Sequence, residues 1–439
     1  MKIKIEKLIF GGAGIGHLED GKPFDNTHGK PVFVKKTVPG DEVDIKITKD
    51  KKSYSEALIS KIISPSAERI DSPCKYFDHC GGCDHQNISY PNQLKFKQEI
   101  SEEVLKRAGI QIKTEPIIAG SDFPQYYRNS IRFFFIHKDN DISFGRKDYR
   151  DFNKLIEVDN CLLQSETANQ MLSDLKIFIN KKIKDKKTFW QLKIRQGKFT
   201  DEFMIEIITS FEELPEKEGI VKLLKNINGV KSIYHTVAPG KSLKNLKRHL
   251  IYGSPMIFEK IGPYKFQISP ESFFQTNSLG IKNLYDQIKE YADIKMGDNV
   301  LDLYCGTGSI GIYLSTLAKE VVGVESVPEA IRDACDNAKL NKIQNIKFAC
   351  SDVLKYLSFP VCKFNIIIVD PPRAGLNKNV IQKLSKLDFK RLIYVSCNPS
   401  TFARDIKLFE NYGLKLTKVQ PIDMFPQTHH LECVGVIHR

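Results

Sequence analysis

The sequence predicts an α/β protein, with a doubly wound sheet in the C-terminal part of the chain behind a small β-barrel and a central α+β segment. Three observations predict it. From Asp298 onward, short apolar runs alternate with helical stretches such as VPEAIRDACDNAKLN, the pattern of strands joined by crossover helices. The first of those runs ends in DLYCGTGSIG, a glycine-rich turn between a strand and a helix. Residues 1–62 instead show period-two alternation broken by glycine and charged turns, as short strands do.

A chain of 439 residues is too long for one core and implies several domains. The 66 Lys and Arg outnumber 53 Asp and Glu, giving +13, which points to a polyanionic partner. No apolar run approaches the roughly 18 residues that span a bilayer. The opening MKIKIEKLIFGG alternates charged and apolar residues, unlike the continuous core of a signal peptide. Ten cysteines without a secretion signal fit a reducing compartment. A cytoplasmic protein with no membrane partner is expected.

In chain order, Lys2-Ile3-Lys4-Ile5, Val32-Phe33-Val34 and Val43-Asp44-Ile45-Lys46-Ile47 read as strands, turned at Gly11-Gly12 and Pro39-Gly40-Asp41. About five strands in about 60 residues suggest a closed barrel of the OB type, a fold that often binds RNA. Next, Cys74, Cys80 and Cys83 have the spacing C-x5-C-x2-C, with Gly81-Gly82 between the last two. The diglycine lets backbone fold tightly around a bound group. A fourth ligand is needed, and the nearest later cysteine is Cys161; spacing leaves zinc and a four-cysteine iron–sulfur cluster both open.

From Pro91, NQLKFKQEISEEVLKRAGI carries a helical pattern closed by a glycine. Residues 125–160 read as strands that interleave basic and aromatic side chains, among them Tyr127, Arg128, Arg132, Phe133, Phe135 and Tyr149. Between Lys176 and Lys198 lie nine Lys or Arg and one Asp; between Lys231 and Leu250 lie five and no acid. Basic residues track phosphates and neighbouring aromatics stack on bases, so this segment points to RNA.

After about Gly253 the composition changes, and apolar runs at 299–304, 320–325, 346–350, 364–369 and 392–395 read as the strands of the doubly wound sheet. Gly306, Gly308 and Gly311 match G-x-G-x-x-G, and Glu325 follows the second run. Such a turn admits close approach of a ligand, and the acid can bind ribose hydroxyls. The pair fits a dinucleotide or S-adenosylmethionine. The fourth run ends in Asp370-Pro371-Pro372-Arg373, a rigid turn with few free amides. That turn suits a pocket where a methyl donor meets a flat ring. The fifth run, in RLIYVSCNP, delivers Cys397 to the carboxyl end of its strand, where ligands meet an open sheet. A thiolate there can attack soft, electron-poor carbon.

DLYCGTG, DPPR and SCNP in order, with SPESFFQTN (269–277), the C-G-G-C cluster and MFPQTHHLECV (424–434), resemble the RNA uracil-5-methyltransferases over nearly the whole chain. The N-terminal segment resembles a TRAM domain. The resemblance implies a TRAM-like OB barrel at 1–62, a central RNA-binding domain with a four-cysteine cluster at 63–255, and a Rossmann-like class I S-adenosylmethionine-dependent methyltransferase domain at 256–439. The helical part near 91–119 is expected to pack on the catalytic domain.

Residue roles follow from the same resemblance. Cys397 matches the nucleophile that adds to C6 of uracil, and Glu432 the base that removes the C5 proton; Leu431 stands where the family usually has valine. Gln275, Tyr304, Glu325 and Asp370 match positions that bind S-adenosylmethionine, with Asp352 expected at the adenine edge. Ser309 stands where some members carry asparagine. Cys74, Cys80, Cys83 and Cys161 match the ligands of a [4Fe–4S] cluster, with zinc second. Its expected role is structural or in RNA binding, because methyl transfer from a sulfonium needs no electrons. Cys305, Cys335, Cys350, Cys362 and Cys433 are read as structural. No metal is expected at His429-His430, since neighbours on a strand point to opposite faces.

The barrel and cysteines resemble the bacterial branch that acts on 23S ribosomal RNA as a monomer. Other readings are a tRNA uracil methyltransferase, a ribosome-assembly factor that binds RNA without activity, and an NAD-dependent oxidoreductase using GTGSIG. The inactive factor would predict loss of Cys397 or Glu432, and both are present.

Overall fold

The computed structural model describes residues 1–18, 29–244, 246–359 and 363–439, so Cys362 lies outside the described residues. Three sheets and one hairpin organise the chain. The first sheet runs in the order Lys2–Lys4, Glu42–Asp50, Ser55–Ser64, Pro31–Lys35, Ala13–His17 and Lys7–Leu8. Lys2–Lys4 pairs with one edge and Lys7–Leu8 with the other, and the Glu6 amide donates to Ile15 O at 2.8 Å. A single bent N-terminal stretch therefore closes the barrel and removes its edges. Alternate residues point inward, and Ile3, Ile5, Val32, Val34, Val43 and Ile45 form its core.

The cysteine-bearing segment 65–89 is made of turns and is pinned to the barrel by Arg69, which pairs with the fully buried Asp41 at 2.5 Å. Lys36, just after the barrel strand, donates to the carbonyls of Cys80 and Cys83 and stacks on Phe77 with its nitrogen 3.8 Å from the ring centre.

The second sheet has seven strands, with Ser130–Lys138 and Phe189–Gly197 near its middle. Its core holds Phe133, Phe135, Phe144, Leu175 and Phe189. This corrects the expectation for three of the aromatics: Tyr127, Phe133 and Phe135 are buried and do not offer a face to RNA bases. In Ser130–Lys138, positions 131, 133 and 135 alternate into the core, so a basic–aromatic interleave there is an ordinary two-faced strand. The hairpin Ile257–Ile261 with Tyr264–Ile268 packs its apolar residues into the core of the third sheet.

The third sheet has eight strands in the order Ile346–Cys350, Glu320–Glu325, Asn299–Leu303, Ile366–Val369, Arg391–Ser396, Glu432–His438, Lys415–Asp423 and Ile118–Ala119. The first five are parallel, with helices between them, as the apolar runs predict. The sheet is not wholly parallel. Glu432–His438 inserts antiparallel between Arg391–Ser396 and Lys415–Asp423. The helix Tyr90–Arg107 docks on this sheet, where Lys97 pairs with Asp423 at 2.6 Å, both fully buried. No helix among the described residues is long and apolar enough to cross a membrane.

Candidate active site

A cavity of about 1000 Å³ opens over the carboxyl ends of the parallel strands. Its wall includes Gln275, Tyr304, Glu325, Asp370, Cys397 and Glu432. Six side chains from six separate stretches of sequence thus meet in one space.

Cys397 leaves the strand Arg391–Ser396 at the point where Asn398 caps the helix Pro399–Glu410, accepting from the Ser400 amide at 3.0 Å. Asn398 Nδ2 and Thr401 Oγ1 each donate to Arg373 O at 3.4 Å, which ties the thiol's loop to the diproline loop. Behind them Asp405 accepts from the Leu376 amide at 2.7 Å and from Tyr394 Oη at 2.6 Å. Gly375 adopts φ +77° there, and a Cβ would come within 2.5 Å of Asp405, so the turn needs glycine.

Glu432 reaches the same lip by pairing. Cys433 lies opposite Ser396 in the antiparallel register, which sets Glu432 beside the residue after Ser396. Both groups feel that environment. Burial, then the Asp370 charge, pushes Glu432 up to about 8. Burial, then Glu432 and Asp370, pushes the Cys397 thiol up to about 11, while Arg373 acts the other way. Asp370 is pushed up to about 7 by burial. Asp302 under the glycine turn also rises to about 7, by burial first, and it accepts from the Gly311 amide at 2.9 Å. Such a crowd of acids favours a cationic ligand.

The glycine turn is held open by contacts to Glu325, which accepts from the amides of Gly306 at 3.3 Å, Ser326 at 2.6 Å and Val327 at 3.0 Å. Tyr304 takes the left-handed φ of +63° that turns its side chain out of the strand. Ser309 hydrogen-bonds Tyr285 Oη at 2.6 Å. On the facing side, Asn129 Nδ2 donates to Gln275 O at 2.8 Å and to Ser278 Oγ at 2.7 Å. Arg195 donates to the carbonyls of Ser269 and Ser272, each at 2.8 Å. Asn129, Arg195 and Tyr285 carry no motif of their own, and Asp302, the first residue of DLYCGTG, was not singled out; the fold reveals all four.

Other predicted positions behave differently. Asp352 is absent from the cavity wall, and its carboxylate caps the helix Val353–Tyr356 by accepting from the Lys355 amide at 3.0 Å. Cys350, read as structural, is exposed, whereas Cys305 and Cys433 are buried. His429 and His430 stand in a turn before the strand, with ring centres 4.3 Å apart, and both line the cavity. The strand alternation expected to separate them does not apply. His429 Nδ1 instead pairs with Asp84 of the cysteine segment at 2.7 Å.

Cys74, Cys80, Cys83 and Cys161 are all free thiols. Cys83 sits in an apolar nest with Phe77, Tyr127 and Leu163, and Cys74 and Cys161 pack against it. Gln86 Nε2 donates to Cys83 Sγ at 3.1 Å and the Gly82 amide to Cys80 Sγ at 3.4 Å. Burial raises Cys83 to about 12. Among the described residues, no three His, Cys, Asp or Glu side chains are set to hold a metal ion.

The family described as tRNA (Uracil-5-)-methyltransferase matches residues 89–439, and the family described as TRAM domain matches residues 1–59. The chain is 38% identical over 457 residues to an uncharacterized RNA methyltransferase of Fusobacterium nucleatum, covering 100% of this chain and 96% of the relative. It is 35% identical over 452 residues to another from Halalkalibacterium halodurans, at the same coverage of 100% and 96%. Among solved structures it is similar to the Pyrococcus abyssi tRNA (uracil-54, C5)-methyltransferase in complex with S-adenosyl-L-homocysteine. That match has a TM-score of 0.79 and 28% identity, and covers 100% of both chains.

Proposed function

The chain belongs to the tRNA (uracil-5-)-methyltransferase family, and on that premise we propose that it methylates C5 of a uridine in 23S ribosomal RNA. The donor is S-adenosyl-L-methionine, and the enzyme acts as a cytoplasmic monomer. The observation that carries this reading is the meeting of Cys397, Glu432, Asp370 and the glycine turn in one cavity.

C5 of uracil is a poor nucleophile. The thiolate of Cys397 adds to C6, and the C5–C6 electron pair moves toward O4 to give an enolate. C5 then takes the methyl carbon, leaving the electron pair of the broken bond on the donor's sulfur. Glu432 removes the proton left on C5, the C6–S bond breaks and the thiolate returns. The raised value of Glu432, about 8, makes it a stronger base than an ordinary carboxylate. Glu325 would hold the donor's ribose, Tyr304 and Gln275 would line its pocket, and Asp370 would supply negative charge for its sulfonium. The target uridine must leave its stack to reach Cys397.

A second reading is tRNA as substrate. It is favoured by the likeness to the Pyrococcus abyssi tRNA enzyme, whose chain matches this one over its full length. The N-terminal barrel alone therefore does not separate the two substrates. Incubation of labelled donor with unmodified 23S rRNA and unmodified tRNA, followed by nucleoside analysis, decides between them. Label recovered as 5-methyluridine from rRNA supports the first reading; label from tRNA alone replaces it with the second.

Cys74, Cys80, Cys83 and Cys161 are proposed to hold a [4Fe–4S] cluster, with zinc as the alternative. Four free thiols, an apolar nest and N–H donors to two sulfurs suit such a group. When bound it supplies a covalent brace for segment 65–89. Iron, zinc and acid-labile sulfide content of protein purified without oxygen, with Cys80→Ser beside wild type, checks it.

A further inference from the structure

The cavity has two lips, and the one facing the methyltransferase loops is built by other parts of the chain: Lys35 of the barrel, the Gly81-Gly82 turn, Arg128, Arg146 and Phe152. We propose that Phe152, with Lys35 beside it, forms a stacking subsite for a nucleotide flanking the target uridine. The inference rests on the RNA substrate proposed above and assigns a site within it.

Phe152 is 57% exposed, although a phenyl ring gains by burial. The loop that carries it is nonetheless well braced. It sits on the loop between Asp141–Lys147 and Leu155–Glu157, where the Asp148 amide donates to Lys154 O at 3.0 Å and the Lys154 amide to Asp151 O at 2.9 Å. Arg150 pairs with Asp148 at 2.6 Å, and the Tyr149 amide donates to His79 O at 3.0 Å. A Cβ at Gly81 would lie 3.2 Å from Lys147 O and 3.5 Å from the Phe152 ring, so the cysteine segment packs closely against this loop.

Three cations line this part of the cavity. Lys35 Nζ is 5.7 Å from the ring centre. Among the described residues Lys35, Arg128 and Arg146 have no ion-pair partner, and Arg128 and Arg146 hydrogen-bond only carbonyls, Ser130 O at 2.9 Å and Arg132 O at 2.6 Å. Across the opening Phe273 is 69% exposed. An exposed aromatic on a braced loop beside unpaired cations is what an unpaired strand requires, one to stack on a base and the others to follow its phosphates. The barrel thereby contributes to the catalytic cavity itself, through Lys35.

The test measures affinity for unmodified 23S rRNA and tRNA transcripts at several salt concentrations, with Phe152→Ala, Phe152→Trp and Lys35→Ala beside wild type. S-adenosylhomocysteine affinity is measured on the same samples. Phe152→Ala is expected to weaken binding of the substrate RNA about tenfold, with the salt dependence unchanged. Phe152→Trp is expected to restore it. Lys35→Ala should lower the salt slope by about one unit. S-adenosylhomocysteine affinity should stay the same in all three. Wild-type RNA affinity in Phe152→Ala, or failure of tryptophan to rescue, overturns the subsite. Absence of methyl transfer to either RNA by the wild type, with these binding differences intact, would count against the proposed reaction and leave the subsite standing.

Discussion

Cys433 lies directly opposite Ser396 in the antiparallel pair that follows the five parallel strands, and this one register sets Glu432 beside Cys397. A shift of one residue would turn every side chain of Glu432–His438 to the other face and carry the carboxylate out of the cavity. The pairing of thiol and carboxylate is therefore a property of sheet order.

Replacing Glu432 separates the two halves of the reaction. In Glu432→Gln the methyl group is expected to reach C5 while the C5 proton stays, so an enzyme–RNA adduct accumulates and turnover falls by about 10²–10⁴. A denaturing gel with labelled donor checks it, since the label should migrate with the protein.

The same substitution has a stability signature. Folding raises Glu432 from 4.5 to about 8, mainly by burial. The stability of the protonated form is fully present below 4.5 and is lost as pH rises through 8. Glu432→Gln should therefore melt several degrees above wild type at pH 9 and alongside it at pH 4.5. Thermal unfolding across that range measures the difference.

The thiol should report the same charge. Burial comes first in holding Cys397 up to about 11, and Glu432 second. Glu432→Gln is expected to move the pH dependence of Cys397 alkylation downward by about one unit. Peptide mass spectrometry after timed iodoacetamide exposure separates Cys397 from the exposed Cys350.

Donor binding should depend on pH with a definite sign. Asp370, which lines the cavity, rises to about 7, so the cavity gains negative charge between pH 6 and 8. S-adenosylmethionine carries a sulfonium and S-adenosylhomocysteine does not. Preference for the former is expected to grow with pH, on the order of tenfold, and to flatten in Asp370→Asn. Calorimetry with both ligands checks it.

The central parallel strands were legible because strands buried on both faces read as continuous apolar runs, as in Ile366–Val369; the edge strand Ile346–Cys350 is only partly covered and read less clearly. Cys397 and the glycine turn were legible because both lie at strand ends within short motifs. Lys415–Asp423 was not, because its first half is exposed and polar and Pro421 interrupts it. The aromatics misled for a related reason: Phe133 and Phe152 are the same residue type, and only register and loop position send one into the core and the other to solvent. Asn129 and Arg195 act through backbone carbonyls of 269–275, contacts that no local pattern announces. Asp352 also has a local role, since a carboxylate just before a helix caps it.

The docked helix offers a test away from the chemistry. Lys97 and Asp423 are 1% and 0% exposed and 2.6 Å apart. Lys97→Met leaves a buried carboxylate unpaired and should cost about 3–5 kcal/mol, read from urea unfolding.

The most direct measurement of the central claim is the covalent bond itself. Incubation with donor and RNA substrate containing 5-fluorouridine should trap the adduct, because fluorine on C5 leaves no proton for Glu432 to remove and the C6–S bond stays. The account predicts a methylated nucleotide on the tryptic peptide spanning 392–404, joined at Cys397, and none in Cys397→Ala. An adduct on another residue, or methylation at full rate by Cys397→Ala, would contradict it.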